Sequence, residues 1–197
     1  MSVKIQWATP EIDKQIMYMA RVSNPTSQNS ENTRLLHYCM EHGHVSPFEM
    51  ANVCLEINTT RDIARQILRH RSFSFQEFSQ RYADVGLLGD MVERECRLQD
   101  TKNRQNSIET NDGAVISAWD SMQKRAWIRA VSDYQLALDS GVAKEVARAL
   151  LPEGLTPSRV YMNGTMRSWV HYLKQRLDPT TQKEHRAIAE QCLAVLR

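Results

Sequence analysis

The chain has 197 residues, 42% of them hydrophobic, with 25 Lys and Arg against 23 Asp and Glu for a formal net charge of +2. That length suits one sizeable core and is short for two, so residues 1–197 are expected to form a single domain. The near balance of charge demands no polyanionic partner, and no apolar run approaches the roughly 20 residues of a membrane span, so neither nucleic acid nor membrane is expected.

In chain order, Val3 to Ala8 alternates in the manner of a strand. Thr9-Pro10 reads as an N-cap followed by proline at the first helical position, opening a helix over Glu11 to Val22. A second helix is expected over Glu31 to His42, stopped by Gly43. Ala51 to Thr59 is rich in β-formers and bounded by Pro47 and Thr59-Thr60, hence a strand. From Arg61 to His70 the period becomes helical. Ile63, Ala64, Ile67 and Leu68 share one arc; Arg61, Asp62, Arg65, Gln66 and Arg69 share the other. Gln66 and Arg69, three apart, can address one ligand together.

Arg69 to Tyr82 reads as the end of that helix and the loop after it. A strand near Val92 to Leu98 follows, then an Asn-rich surface loop from Asp100 to Gly113. A long helix from Ala114 to Ser140, ended by Gly141, precedes three shorter helices at about 142–151, 158–177 and 180–196. The order is neither alternating βαβ nor all-helical. It predicts an α+β fold, with helices packed around a small, mostly antiparallel sheet.

Arg69 to Tyr82 is the most informative stretch, because it gathers three arginines, His70, Glu77 and the hydroxyls of Ser72, Ser74 and Ser79. Arginine forks match phosphate oxygens, and the intervening polar groups can hold a base or sugar. Phe73, Phe75, Phe78 and Tyr82 beside them suggest a lined site for a nucleotide, a flavin or single-stranded nucleic acid. A basic helix end before a polar loop is also ordinary solvated surface.

Glu145 and Arg148 sit one turn apart and make either a surface ion pair or ligand contacts. Near 166–177, Met166, Trp169, Val170, Leu173 and Leu177 form an apolar stripe, with Arg167, His171 and Lys174 on another face. Arg176 lies beside the stripe, where an arginine either snorkels or faces a ligand. His37, His42 and His44 lack metal-ligand spacing, so no metal is expected. Cys39, Cys54, Cys96 and Cys192 form no CxxC pair and follow no signal peptide, the usage of a reducing, cytoplasmic compartment. None is flanked by an activating base, so no catalytic nucleophile is offered.

Arg69-His70-Arg71, seven residues and then Ser79 resembles the signature of the flavin-dependent thymidylate synthases, the ThyX family, with Glu77 and Arg81-Tyr82 in place. The resemblance continues upstream in Ala20-Arg21-Val22-Ser23 and in Gly43 to Glu49. Downstream it takes in Glu145 to Arg148, Leu151-Pro152, Asn163, Arg167-Ser168 and Arg176-Leu177-Asp178, so that it spans about residues 20 to 190. Its departures are Gln76 where Asn is common, two extra residues between Asn163 and Arg167, and Thr180 where some members carry His.

The resemblance implies methylation of dUMP to dTMP by a homotetramer with active sites shared between subunits. FAD would be reduced by NADPH, and methylenetetrahydrofolate would deliver the carbon. Carried over by position, Gln66, Arg69, Glu77, Ser79, Gln80, Arg81, Arg148 and Arg176 would bind dUMP. Arg148 would reach the dUMP of a neighbouring subunit, and Arg176 would activate the uracil by drawing charge from N3-O4. Ser23, His44, Ser46, Glu49, Arg69, His70, Arg71, Glu77, Asn163, Arg167 and His171 would lie on the flavin side. The compact chain would suit a virus, its enzyme then working in the host cytoplasm. Two rival readings are a catalytically dead homologue and a single-stranded nucleic-acid binder, the latter stacking bases on Phe73, Phe75 and Phe78 and holding phosphates with Arg69, Arg71 and Arg81.

Overall fold

In chain order the strands are β1 (Ser2–Ala8), β2 (Asn52–Thr60), β3 (Ser74–Glu77), β4 (Arg97–Gln99), β5 (Ser107–Glu109) and β6 (Pro157–Thr165). The helices are α1 (Ile12–Ala20), α2 (Arg34–Glu41), α3 (Arg61–Ile67), α4 (Gly113–Asp139), α5 (Lys144–Ala147), α6 (Met166–Arg176) and α7 (Lys183–Val195). These come from a computed structural model that describes residues 1–30 and 32–197. One antiparallel sheet of order β1-β2-β6-β3 organises the chain, and β4 and β5 form a separate hairpin.

The long pairing of β2 with β6, from Asn52 opposite Thr165 to Thr60 opposite Pro157, is the spine of the sheet. Val53, Leu55 and Ile57 of β2 and Val160 and Met162 of β6 are buried. Ile63 and Ile67 of α3, Trp169 and Tyr172 of α6, and Ile188, Ala189 and Cys192 of α7 join the same core. Each such aliphatic side chain stabilises the fold by about 1.5–3 kcal/mol when taken out of water. Glu56 is also buried in β2, compensated by Gln6 at 3.0 Å, Lys4 at 3.2 Å and Asn58 at 3.2 Å.

The expected helix over 158–177 begins only at Met166, because residues 157–165 are the strand at the centre of the sheet. Their burial alternates: Ser158, Val160, Met162 and Gly164 are buried, and the residues between them are less so. Gly164 is required there, since a Cβ would run into the Phe73 ring. The helix then starts on Thr165, whose hydroxyl accepts from the Ser168 amide at 3.3 Å.

Arg69 to Tyr82 is not all loop either. Ser74–Glu77 is the edge strand β3, paired with β6 from Asn163 to Val160. Phe73 packs edge-on against Trp169 at 4.8 Å and Tyr172 at 6.1 Å, and Phe75 packs against the same core. These two rings are therefore core rather than site lining, while Tyr82 is 77% exposed.

Thr9 does not cap α1. Its hydroxyl and amide are engaged with Asn52 of β2, which leaves Glu11 in the left-handed region at φ 47° before a helix that starts at Ile12. The expected second helix began at Glu31, which lies outside the described residues. The observed α2 runs from Arg34 and ends before Gly43 at φ 70°. The strand expected near Val92 to Leu98 is shifted to Arg97–Gln99, and the Asn-rich loop contains its partner β5. The segment at about 142–151 divides into α5 and a 3-10 turn over Arg148–Leu150.

The long helix α4 begins where Asp112 accepts from the amides of Ala114 and Val115. Its Trp127 and Tyr134 pack with Val85, Leu151 and Leu155 in a second cluster. Among the described residues no helix is long and apolar enough to cross a membrane.

Candidate functional site

Burial of Ile63, Ala64 and Ile67 fixes the roll of α3, which aims Gln66 at α7. There Gln66 Nε2 donates to Gln182 Oε1 at 2.8 Å, and Gln66 Oε1 lies 3.3 Å from His185 Nδ1. His70 follows in the turn after α3, and Arg176, the last residue of α6, donates from Nε to His70 Nε2 at 2.9 Å. Burial, with the nearby charge of Arg176, pushes the His70 pKa down to about 4. His70 is thus a neutral acceptor that fixes the guanidinium, whose Nη groups make no hydrogen bond to a described residue. Arg69 and Arg71 stand exposed on either side of it.

A second group gathers around β3 and the short helix α5. Ser158 of β6 donates to Glu77 Oε1 at 2.9 Å. Arg61 on α3 is near both Glu77 and Arg148, and its pKa is lowered chiefly by burial. Ser79 accepts from the Arg81 amide at 3.4 Å, and Gln80 is buried with Nε2 lacking any partner among the described residues. Glu145 does not pair with the Arg148 side chain as an ion pair within the helix would require. Its carboxylate instead binds Arg81 at 3.2 Å, and its backbone carbonyl accepts from Arg148 Nε at 3.2 Å. Arg81 and Arg148 are thus brought to the same carboxylate-bearing residue within one chain. Both ends of the Arg81–Glu145 pair are more than half exposed, so it contributes little and an incoming anion can displace it.

Among the described residues no hydrogen bond or ion pair joins the Gln66, His70 and Arg176 group to the Glu77, Gln80, Arg81 and Arg148 group. Arg61 of α3, the helix that carries Gln66, lies within electrostatic reach of both Glu77 and Arg148 and so adjoins the second group.

The third group lies where α6 meets the turn before β2. Arg167 donates to Glu49 at 2.6 Å and Thr165 donates to it at 2.9 Å; together they hold the Glu49 carboxyl below its usual range. Glu49, Ser72, Arg167 and His171 line a cleft of about 710 Å³. Arg167 and Gly43 continue into a hollow of about 610 Å³ with Tyr38, His44 and Ser46. Tyr38 continues in turn into a depression holding Ser23 and Arg21. His42 stacks on Tyr38 at 4.0 Å, and His44 meets that ring edge-on at 5.8 Å. Asn163 Oδ1 is buried without a partner among the described residues. These adjoining hollows present charged and aromatic groups of the kind that bind a polar cofactor carrying an aromatic ring.

Sequence reasoning missed Arg61, Ser158, Tyr172, Gln182, Glu184 and His185. Glu184 and His185 carry a readable signal, since both are polar residues at positions that an apolar-stripe reading of α7 buries. A further cleft of about 630 Å³ lies between β4, α4 and α7, lined by Arg94, Arg97, Trp119, Met122, Gln182 and Glu184. Among the described residues no cluster of three or more His, Cys, Asp or Glu is arranged to hold a metal ion.

A model of the family described as thymidylate synthase complementing protein, Thy1, matches residues 4–197. A flavin-dependent thymidylate synthase of Synechocystis sp. is 50% identical over 177 residues, covering 88% of this chain and 79% of the relative. A probable flavin-dependent thymidylate synthase of Paramecium bursaria Chlorella virus 1 is 46% identical over 179 residues, covering 90% and 82%. Among solved structures, the UMP/dUMP methylase PolB of Streptomyces cacaoi bound with 5-Br dUMP is similar at a TM-score of 0.86 and 28% identity, over 99% of this chain and 89% of that one.

Proposed function

The chain belongs to the family of flavin-dependent thymidylate synthases, and on that premise we propose that it converts dUMP to dTMP with methylenetetrahydrofolate as carbon donor, FAD as cofactor and NADPH as reductant. The observation that carries the assignment of residues is that two of the four buried, unpartnered side-chain atoms among the described residues, Gln80 Nε2 and Asn163 Oδ1, belong to motif-matched residues, the other two being on Arg94 and Tyr134. A buried polar atom without a partner costs about 1–3 kcal/mol, which a ligand hydrogen bond offsets. Gln80 belongs to the residues matched to dUMP, Asn163 to those matched to the flavin.

Gln66, Arg69, Glu77, Ser79, Gln80, Arg81 and Arg148 hold the nucleotide, the arginines taking its phosphate as bidentate forks. Arg176, aimed by His70, meets the N3-O4 edge of the uracil and stabilises charge there. Ser23, His44, Ser46, Glu49, Arg167 and His171 line the flavin trough, Asn163 is assigned to the same side by its motif position, and Arg69, His70, Arg71 and Glu77 stand at the junction with the nucleotide. Bound flavin supplies the hydride that completes the methyl group. No cysteine nucleophile is required: Cys39, Cys54 and Cys192 are buried, and burial pushes the Cys54 thiol up and that of Cys192 to about 12.

The enzyme works as a homotetramer in the cytoplasm, or in the host cytoplasm if it is viral, each nucleotide lying between subunits. One observation supports the assembly: α4 leaves Met122, Ile128, Val131 and Leu136 exposed. The nucleic-acid reading loses its stacking platform, because Phe73 and Phe75 are packed into the core.

Purification under native conditions is expected to give a yellow oligomer with flavin near equimolar to chain. A colourless monomer that also fails to take up added FAD would overturn the reading.

A further inference from the structure

His185 is completely buried in α7, outside every sequence-matched position, yet it touches Gln66. Its Nε2 lies 3.2 Å from the Tyr172 hydroxyl and its Nδ1 lies 3.3 Å from Gln66 Oε1. From Gln66 the contacts continue through Gln182 at 2.8 Å to Glu184 at 3.0 Å.

The direction of this chain is fixed at its far end. Glu184, gripped by Arg97 at 2.6 Å and Arg94 at 3.5 Å, is an ionised carboxylate and can only accept. Gln182 must therefore turn its amide nitrogen to Glu184 and its carbonyl to Gln66. Gln66 must then donate through Nε2, which leaves Oε1 facing His185. Because a carbonyl oxygen only accepts, His185 carries its proton on Nδ1, and its bare Nε2 accepts from the Tyr172 hydroxyl. Burial agrees with neutral partners, since it pushes the His185 pKa down to about 3 and raises that of Tyr172. Each amide and ring thus has one orientation consistent with all its neighbours.

We propose that His185 and Glu184 are positioning residues that lock the Gln66 amide as a hydrogen-bond donor at the nucleotide site, so that Gln66 recognises an acceptor oxygen of the ligand. The second hydrogen of Gln66 Nε2 is the one offered. This inference rests on the reading of Gln66 as a dUMP contact.

The test uses FAD-loaded protein and dUMP titration of four forms: wild type, Gln66→Ala, His185→Asn and His185→Gln. Asparagine keeps an amide at the Nδ1 position and can still donate to Gln66. Glutamine places its amide at the Nε2 position and cannot. Each variant leaves one buried contact unmade, that of Tyr172 in His185→Asn and that of Gln66 in His185→Gln, and both are expected to lower the melting temperature. Only His185→Gln is expected to weaken dUMP, about tenfold and comparably to Gln66→Ala, while His185→Asn stays within about threefold. Unchanged dUMP affinity in His185→Gln, beside a loss in Gln66→Ala, overturns the positioning role. Unchanged affinity in Gln66→Ala overturns the site reading itself. Nitrogen-15 NMR of wild-type histidines decides the direction without any variant: a proton on Nδ1 of His185 is expected, and a proton on Nε2 overturns the chain.

Discussion

Arg176→Ala is expected to abolish dTMP formation while leaving FAD bound. Among the described residues the guanidinium makes one hydrogen bond, from Nε to the neutral His70, and its remaining N–H groups are those that the proposed mechanism assigns to the uracil. Its place in the last turn of α6 also favours a positive charge, because the helix C-terminus is the negative end of the dipole. Removing a donor that stabilises charge developing on a substrate typically costs about 100-fold or more in rate. The cleft proposed for the flavin is built around Glu49 and Arg167, so flavin absorbance is expected to survive. Arg176→Lys should recover little, since an ammonium keeps the charge but loses the fork that lets one edge bind His70 and the other bind substrate. Turnover by Arg176→Ala at the wild-type rate would remove Arg176 from the chemistry.

Acid is expected to destabilise the protein from about pH 6.5 downward, well before most carboxylates titrate. His185 and His70 have folded-state pKa values of about 3 and about 4, against 6.5 for an ordinary histidine. Burial is the main cause for both, with Arg176 next. Between those limits the unfolded chain binds protons that the native state refuses. The stabilisation is therefore complete above pH 6.5 and is lost as the pH falls through the window toward 3. For the fully buried His185 the loss is on the order of a few kcal/mol; the partly exposed His70 contributes less. Glu184, Glu49 and Glu56, whose pKa values are lowered from 4.5, add a further loss as they protonate below that value. Melting temperature should be level above pH 7 and fall steeply toward pH 5. His185→Asn, though less stable at pH 8, should show a shallower fall. An identical slope in that variant would show that His185 is not the neutral buried group described.

Much of the fold is readable where one period dominates. The alternation of Val53, Leu55 and Ile57 marks β2, and the glycines at 43 and 141 mark helix ends because each adopts a positive φ. The misread segments are those in which two signals compete. Residues 157–165 alternate with period two but run directly into a strong amphipathic helix, and the helical period of 166–177 masked the boundary at Thr165. Phe73 and Phe75 stand in a motif rich in arginine, which drew them toward the ligand, whereas apolar burial draws them into the core.

At the site, residue types were legible and partners were not. Arg69 to Ser79 stands out in the sequence as a cluster of charged and aromatic residues, a composition that suits an anion site and also a solvated surface. No local pattern indicates that Glu77 meets Ser158, or that Glu49 meets Arg167 across 118 residues. The Gln66–His185 contact spans 119 residues, so only the tertiary fold brings α7 against Gln66.

The central claim is tested most directly by incubating flavin-loaded protein with dUMP, methylenetetrahydrofolate and NADPH and measuring dTMP. The account predicts that dTMP accumulates, that it ceases when the flavin is stripped, and that it resumes when FAD is restored. Folded, flavin-loaded protein that forms no dTMP under these conditions, or that forms it equally well without flavin, would contradict it.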